Sequence, residues 1–460
     1  WRSPFARRYP PLRVPDLGVA TLKRPGMIRS RAQMETAMQQ TDTTEVWATA
    51  WAAAVHGPYP VGNPSAQPDQ SFAFPDPARG AHDQTFRLVL RPDLWGRRAR
   101  LRFSNAFGNR LLLLDDVHVG LQRGAGTLLP GSNRPVRFAG NDSITIPPGA
   151  EAWSDAVELG FITDPDDPLL VGRKLAVSFH VGGTSGPMTW HAKALQTSYV
   201  TAQGAGALGA DETEAAFPFS TASWFFLSAV DMAAPPDAKV IVCLGDSITD
   251  GTGSTMNGDD RWPDVLSRRL HAAFGNRVSV VNVGIGGNQV VGPAQYDPDN
   301  AGPGGPSALA RLDRDVIALS GVRTVVWLEG TNDFSRNGNA SLEAVTQGFR
   351  DGVARLRAAI PGVRVVGATV LTAFGSSNAA HGHQEQDANR RGLNDFIRNS
   401  GLFDAVLDFD AATHDPATGQ LRPEMVPDST IGAAGDGLHP NRAGYLAMGL
   451  SVDPKSVLPA

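Results

Sequence analysis

Four short segments carry residue types that could perform covalent chemistry together. The first is Gly245-Asp246-Ser247-Ile248-Thr249-Asp250-Gly251. Its serine hydroxyl is a poor nucleophile at neutral pH and needs an adjacent base. The last is Asp436-Gly437-Leu438-His439-Pro440-Asn441, where a three-residue spacing lets one loop carry both a carboxylate and an imidazole. The carboxylate can hold the ring while its other nitrogen faces the serine. Between them lie Asn282-Val283-Gly284-Ile285-Gly286-Gly287-Asn288 and Glu329-Gly330-Thr331-Asn332-Asp333. Glycines let backbone N–H groups approach a ligand closely, and an asparagine offers a side-chain amide donor. A nucleophile, a base, an orienting carboxylate and N–H donors are the components of acyl transfer.

Each segment alone has a second reading. A Gly-Asp-Ser triplet is also a helix cap. Asn332 is also an ordinary turn former, and Asp436 and His439 could be surface loop residues. The glycine segment competes as a dinucleotide loop. That reading fails because the last glycine of the fingerprint falls at Gln289 and no acidic ribose partner follows at the usual place.

The elements around these segments give them a common position. Residues 240–244 form a continuous apolar run, suited to a strand buried on both faces. Trp262, Val265, Leu266, Leu270 and Phe274 follow at helical spacing. Further strands are expected at 278–283, 324–328, 363–368 and 405–407. A helix carries Leu342, Val345, Phe349, Val353 and Leu356, and Pro361 marks its end. Such alternation predicts an α/β fold with a doubly wound parallel sheet. Open sheets of this kind place their sites beyond the carboxyl ends of the strands. The first three segments sit directly after strands.

Taken together, the four segments resemble the four sequence blocks of SGNH hydrolases, also called GDSL esterases. The resemblance covers roughly residues 238–452. It implies a flavodoxin-like sheet and a serine esterase mechanism without metal or cofactor. Ser247 matches the family's nucleophile, and Asp436 and His439 match its base pair. Gly287 best matches the glycine oxyanion donor, with Gly286 adjacent and a slip of one residue open. Asn332 matches the asparagine donor, and the Ser247 N–H would complete the oxyanion hole. Ile248 stands where the family name has Leu.

Upstream the pattern changes to β. Leu101 and Phe103 alternate with Arg100, Arg102 and Ser104, and Leu175, Val177 and Phe179 alternate with Lys174, Ala176 and Ser178. Ser143-Ile144-Thr145-Ile146 runs into the turn signal Pro147-Pro148-Gly149. Period-2 alternation with frequent turn residues predicts an all-β sandwich, jelly-roll-like. It resembles the β-rich domain found ahead of the catalytic domain in some bacterial SGNH esterases. The stretch from Trp190 to Tyr199 could line a cleft or could be core and loop. Ala233-Ala234-Pro235-Pro236 marks the expected boundary. The expected domains are therefore an extended basic arm at 1–44, the β-sandwich at 45–235 and the catalytic domain at 236–460.

The bulk numbers are consistent with this layout. A chain of 460 residues is too long for one ordinary core, so two domains are expected. A formal net charge of −5 argues against general polyanion or nucleic-acid binding. Residues 1–33 are the exception, with seven Arg and one Lys against a single acidic residue, Asp16. They read as a surface arm or as a contact for an anionic partner. The one cysteine, Cys243, lies in an apolar run and reads as a small buried hydrophobe. No apolar run reaches the ~18 residues of an integral membrane segment. The chain begins at Trp1, which fits removal of a signal peptide or trimming, and a secreted or periplasmic location is the expectation, with a cytoplasmic one as the alternative. The expected substrate is a small-molecule or carbohydrate ester with a short acyl group. The competing activities are a lipase, lysophospholipase or thioesterase, and a non-catalytic carbohydrate-binding protein. The sequence leaves the oligomeric state open.

Overall fold

The computed structural model describes residues 45–64 and 69–458. The expected basic arm lies outside the described residues. The described residues belong to one compact unit.

The first half is built from antiparallel strands. The principal ones are β1 (Val46–Ala52), β2 (His82–Leu90), β3 (Arg98–Ser104), β4 (Leu112–Gly124), β5 (Leu175–Thr184), β6 (Ser198–Val200) and β7 (Leu227–Ala234). One sheet has the order β1-β7-β3, extended by Glu151–Trp153. A second has the order β6-β2-β5-β4, with Ser143–Ile146 paired to β4. Leu175, Val177, Phe179 and Val181 of β5 alternate into one core together with Leu101 and Phe103 of β3. The opposite face of β5 is not simply exposed. Ser178 pairs with Arg87 of β2, and both are fully buried. Arg87 is accommodated because its guanidinium donates to Ser178 Oγ at 2.9 Å and to the Gly126 and Thr213 carbonyls at 2.7 and 2.8 Å. A buried cation is tolerated only when its donors are satisfied in this way.

The second half alternates strand and helix. It runs β8 (Lys239–Gly245), α1 (Ser247–Asp250), α2 (Trp262–Phe274), β9 (Val278–Gly284), β10 (Val322–Leu328), α3 (Leu342–Ala359), β11 (Arg364–Ala368), α4 (Gln384–Asn399), β12 (Ala405–Leu407) and α5 (Arg442–Ser451). The five strands are parallel, in the order β9-β8-β10-β11-β12. The apolar run of β8 is divided between two cores. Val240, Val242 and Leu244 join the core that also holds Trp327 and Phe349. Ile241 and Cys243 join Trp262, Leu266 and Leu270 of α2 and Tyr445 and Met448 of α5. Burying each large apolar side chain contributes about 1.5–3 kcal/mol, which is why the run carries no polar residue. Among the described residues no helix is long and apolar enough to cross a membrane.

The two halves are joined by more than the exposed Pro235-Pro236 turn. The core that contains Leu88 and Phe179 is continuous with Val240, Val242 and Leu244. Polar contacts reinforce it. The Thr49 N–H donates to the Ser320 carbonyl at 3.0 Å, and Ser279 Oγ donates to the Thr49 carbonyl at 2.7 Å.

Candidate active site

Ser247 follows β8 at the first position of α1. A Cβ on Gly245 would lie 2.3 Å from the Leu328 carbonyl oxygen, so only glycine lets the strand end pack this closely on β10. Asp246 caps α1, its carboxylate accepting the Ile248 N–H at 2.9 Å. The Ser247 N–H, at the first helical position, has no partner within the helix. Ser247 is buried and lines a cleft.

His439 approaches from the loop before α5. Its Nε2 lies 2.8 Å from Ser247 Oγ, and its Nδ1 lies 2.7 Å from Asp436 Oδ2. The other carboxylate oxygen, Asp436 Oδ1, accepts the Leu438 and His439 backbone N–H groups, both at 2.9 Å. Burial disfavours the Asp436 charge, but the His439 imidazole and these two donors outweigh it. They hold the carboxyl well below the usual carboxylate range. A carboxylate so held accepts a hydrogen from Nδ1 and leaves Nε2 free to accept the serine proton.

Gly287 and Asn332 line the same cleft as Ser247 and His439, a cavity of about 1110 Å³. Gly286 and Gly287 differ in their hydrogen bonding. The Gly286 N–H already donates to Asp250 Oδ2 at 2.9 Å, whereas the Gly287 N–H has no partner among the described residues. Gly287 also adopts φ +86, which disfavours any side chain. Asn332 Nδ2 donates to the Asn288 carbonyl at 2.9 Å, which fixes the plane of its amide with one N–H remaining. The loop is further tied to β10 by Asp333, whose carboxylate accepts the Val290 and Val291 N–H groups at 2.9 and 3.1 Å. Buried Arg311 ties the strand ends to each other. It donates to the Gly245 carbonyl at 2.9 Å, the Val283 carbonyl at 2.7 Å and Asn288 Oδ1 at 2.8 Å.

Several residues at the site carry no sequence signal. His381 lines the cleft, and its Nδ1 accepts from Gln386 Nε2 at 2.8 Å. Burial, aided by neighbouring His439, lowers its pKa to about 4, so it is neutral at pH 7. Asn63 and Lys193 reach the cleft from the β-rich half. Lys193 Nζ donates to Thr252 Oγ1. Burial pushes the ammonium downward, while the carboxylates of Asp250, Asp246 and Asp436 oppose that. Within the stretch from Trp190 to Tyr199, Trp190 and Ala192 pack into the core and only Lys193 lines the Ser247 cleft. His191 does not line it, and its Nε2 lies 3.1 Å from Asp250 Oδ1.

Comparison with known proteins adds the family. No curated protein sequence matches significantly. Among solved structures, the aryl esterase of M. smegmatis is similar at 16% identity over 46% of this chain and 96% of that chain, with a TM-score of 0.36. A carbohydrate acetylesterase family member from Sinorhizobium meliloti is similar at 18% identity over 47% of this chain and 96% of that chain, with a TM-score of 0.34. At that level of likeness neither protein's substrate transfers to this chain. The sequence model of the GDSL-like lipase/acylhydrolase family matches residues 243–447, a span that contains Ser247, Gly287, Asn332, Asp436 and His439. Residues 243–447 of this chain belong to the GDSL-like lipase/acylhydrolase family.

Proposed function

We propose that the protein is a serine esterase that hydrolyses short-chain carboxylic esters through an acyl-enzyme. The observation that carries this reading is the unbroken chain Ser247–His439–Asp436, with contacts of 2.8 and 2.7 Å. His439 Nε2 takes the Ser247 hydroxyl proton as Oγ attacks the ester carbonyl. Asp436 holds the tautomer and stabilises the imidazolium that forms. The tetrahedral oxyanion is met by the N–H groups of Ser247 and Gly287 and by the Asn332 amide. His439 then passes its proton to the departing alkoxide, the C–O bond breaks, and the acyl group stays on Oγ. Water, deprotonated by the same imidazole, repeats the addition and releases the acid and the free serine. Each oxyanion donor is worth about 3–4 kcal/mol of barrier.

The cleft wall supports a polar alcohol on the ester. Asn63, Gln289, Gln295, Asn300, Asn337 and Asn378 line it. Amides of this kind suit the paired donor and acceptor character of hydroxyl groups, so a carbohydrate carrying acetyl groups is the substrate class we favour. A series of p-nitrophenyl esters from C2 to C12 tests the acyl preference. Steep preference for C2 is expected, whereas a maximum at C8 or above would indicate a lipase. Release of acetate from acetylated oligosaccharides tests the alcohol.

A further inference from the structure

The peptide that presents the Gly287 N–H is held from outside the family segment. Asn63, in the β-rich half, donates from Nδ2 to the Gly286 carbonyl at 2.8 Å across 223 residues of sequence. On the other side of Gly286, its N–H donates to Asp250 Oδ2 at 2.9 Å. Asp250 is in turn bonded through Oδ1 to His191 at 3.1 Å, also from the β-rich half. The Gly286 carbonyl and the Gly287 N–H belong to one planar trans peptide unit and point in opposite directions. Fixing the carbonyl on Asn63 therefore fixes the direction of the N–H.

This peptide needs fixing. It joins two glycines, and a Gly-Gly unit has the least steric resistance to rotation. A flip would preserve the chain path and exchange a donor for a carbonyl lone pair. Near a developing oxyanion that exchange replaces attraction with repulsion. The amide of Asn63 is packed closely here, since a Cβ on Gly287 would lie 2.7 Å from Asn63 Nδ2.

The geometry points to Asn63 as a positioning residue: it locks the Gly286–Gly287 peptide with the N–H turned to the oxyanion site. The role rests on reading Ser247 as the nucleophile and Gly287 as an oxyanion donor. It gives the β-rich half a part in the chemistry, beyond forming a wall of the cleft.

Two variants of the full chain test it, with p-nitrophenyl acetate and butyrate as probes. Asn63→Ala releases the carbonyl. Asn63→Asp offers an acceptor that repels the carbonyl and attracts the N–H, so it favours the flipped peptide. We expect kcat to fall roughly tenfold for Ala and further for Asp, equally on both esters and with KM little changed. Wild-type kcat in both variants, or a loss confined to KM, overturns the lock when the Gly286 carbonyl stays unrotated. A crystal structure of Asn63→Asp reads the peptide directly, independent of turnover. The Gly286 carbonyl is expected to rotate away from residue 63, and an unrotated carbonyl overturns the lock. A rotated peptide with undiminished kcat would uphold the lock and instead reject Gly287 as an oxyanion donor.

Discussion

The His191 imidazole and the Asp250 carboxylate meet at 3.1 Å with both side chains buried. The other ring nitrogen, Nδ1, lies 2.7 Å from the Ala54 carbonyl. Both nitrogens thus face acceptors, which only the doubly protonated ring satisfies. Burial works against that charge, but Asp250 and the Ala54 and Lys193 carbonyls outweigh it and raise the His191 pKa above its ordinary value. His56, 5.9 Å away ring to ring, is held well below its ordinary value by burial and by the His191 charge, so it adds no second cation.

A pH dependence of stability follows. A raised folded-state pKa stabilises fully below the unfolded value, about 6.5, and the contribution is lost as pH rises through the folded value. The wild-type melting temperature should therefore decline above neutral pH. His191→Gln should be less stable by about 3–5 kcal/mol at pH 6, as expected for a buried charge left without its partner. It should also lose the alkaline decline specific to this pair. Melting temperatures from pH 5.5 to 9 check this, and parallel curves for the two proteins would reject the imidazolium.

Ser247→Ala removes one hydroxyl at the end of β8 and leaves the Asp246 cap in place. Turnover should fall by about 10⁴ or more, with an unchanged melting temperature. A fluorophosphonate should label Ser247 in the wild type only. Residual activity above a few per cent, or labelling of another serine, would assign the nucleophile elsewhere.

Asn332 separates an oxyanion role from a turn role. Asn332→Ala should lower kcat by roughly 10²–10³ with little change in KM. Asn332→Asp should be at least as damaging, because a carboxylate would face both the oxyanion and the Asn288 carbonyl that the amide now serves. If Asn332 were only a turn former, Asp would be a good substitute. An active Asn332→Asp enzyme would remove it from the mechanism.

Truncation tests the dependence of the second half on the first. A chain beginning at Pro236 would expose the face of β8 carrying Val240, Val242 and Leu244, which is buried in the core shared with the β-rich half. Large exposed apolar faces drive aggregation, so the fragment should be insoluble or lack a cooperative thermal transition. A soluble, cooperatively folding fragment with wild-type kcat would show that neither the shared core nor Asn63 is needed.

The sequence alone located the parallel strands, because a strand buried on both faces must be apolar without interruption, as at 240–244. It also located the four segments at which Ser247, Gly287, Asn332, Asp436 and His439 stand. Asp436 and His439 are three residues apart, so their pairing is a local matter. Period-2 alternation identified β3 and β5 as strands, but it could not tell whether their polar faces were wet. Arg102 and Ser104 of β3 are buried, because other chain segments cover that face.

Only the tertiary structure decided the rest. Which N–H of the glycine loop stays unpaired depends on a carboxylate 36 residues earlier, Asp250, which accepts the Gly286 N–H. Asn63, His191 and Lys193 follow no period and match no motif; Asn63 and Lys193 reach the cleft, and His191 reaches Asp250, through contacts spanning from 59 to 223 residues of sequence. Periodicity reports which side of an element is apolar. It carries no information about which distant polar side chain a given backbone group will meet, since that is fixed by how the two halves pack.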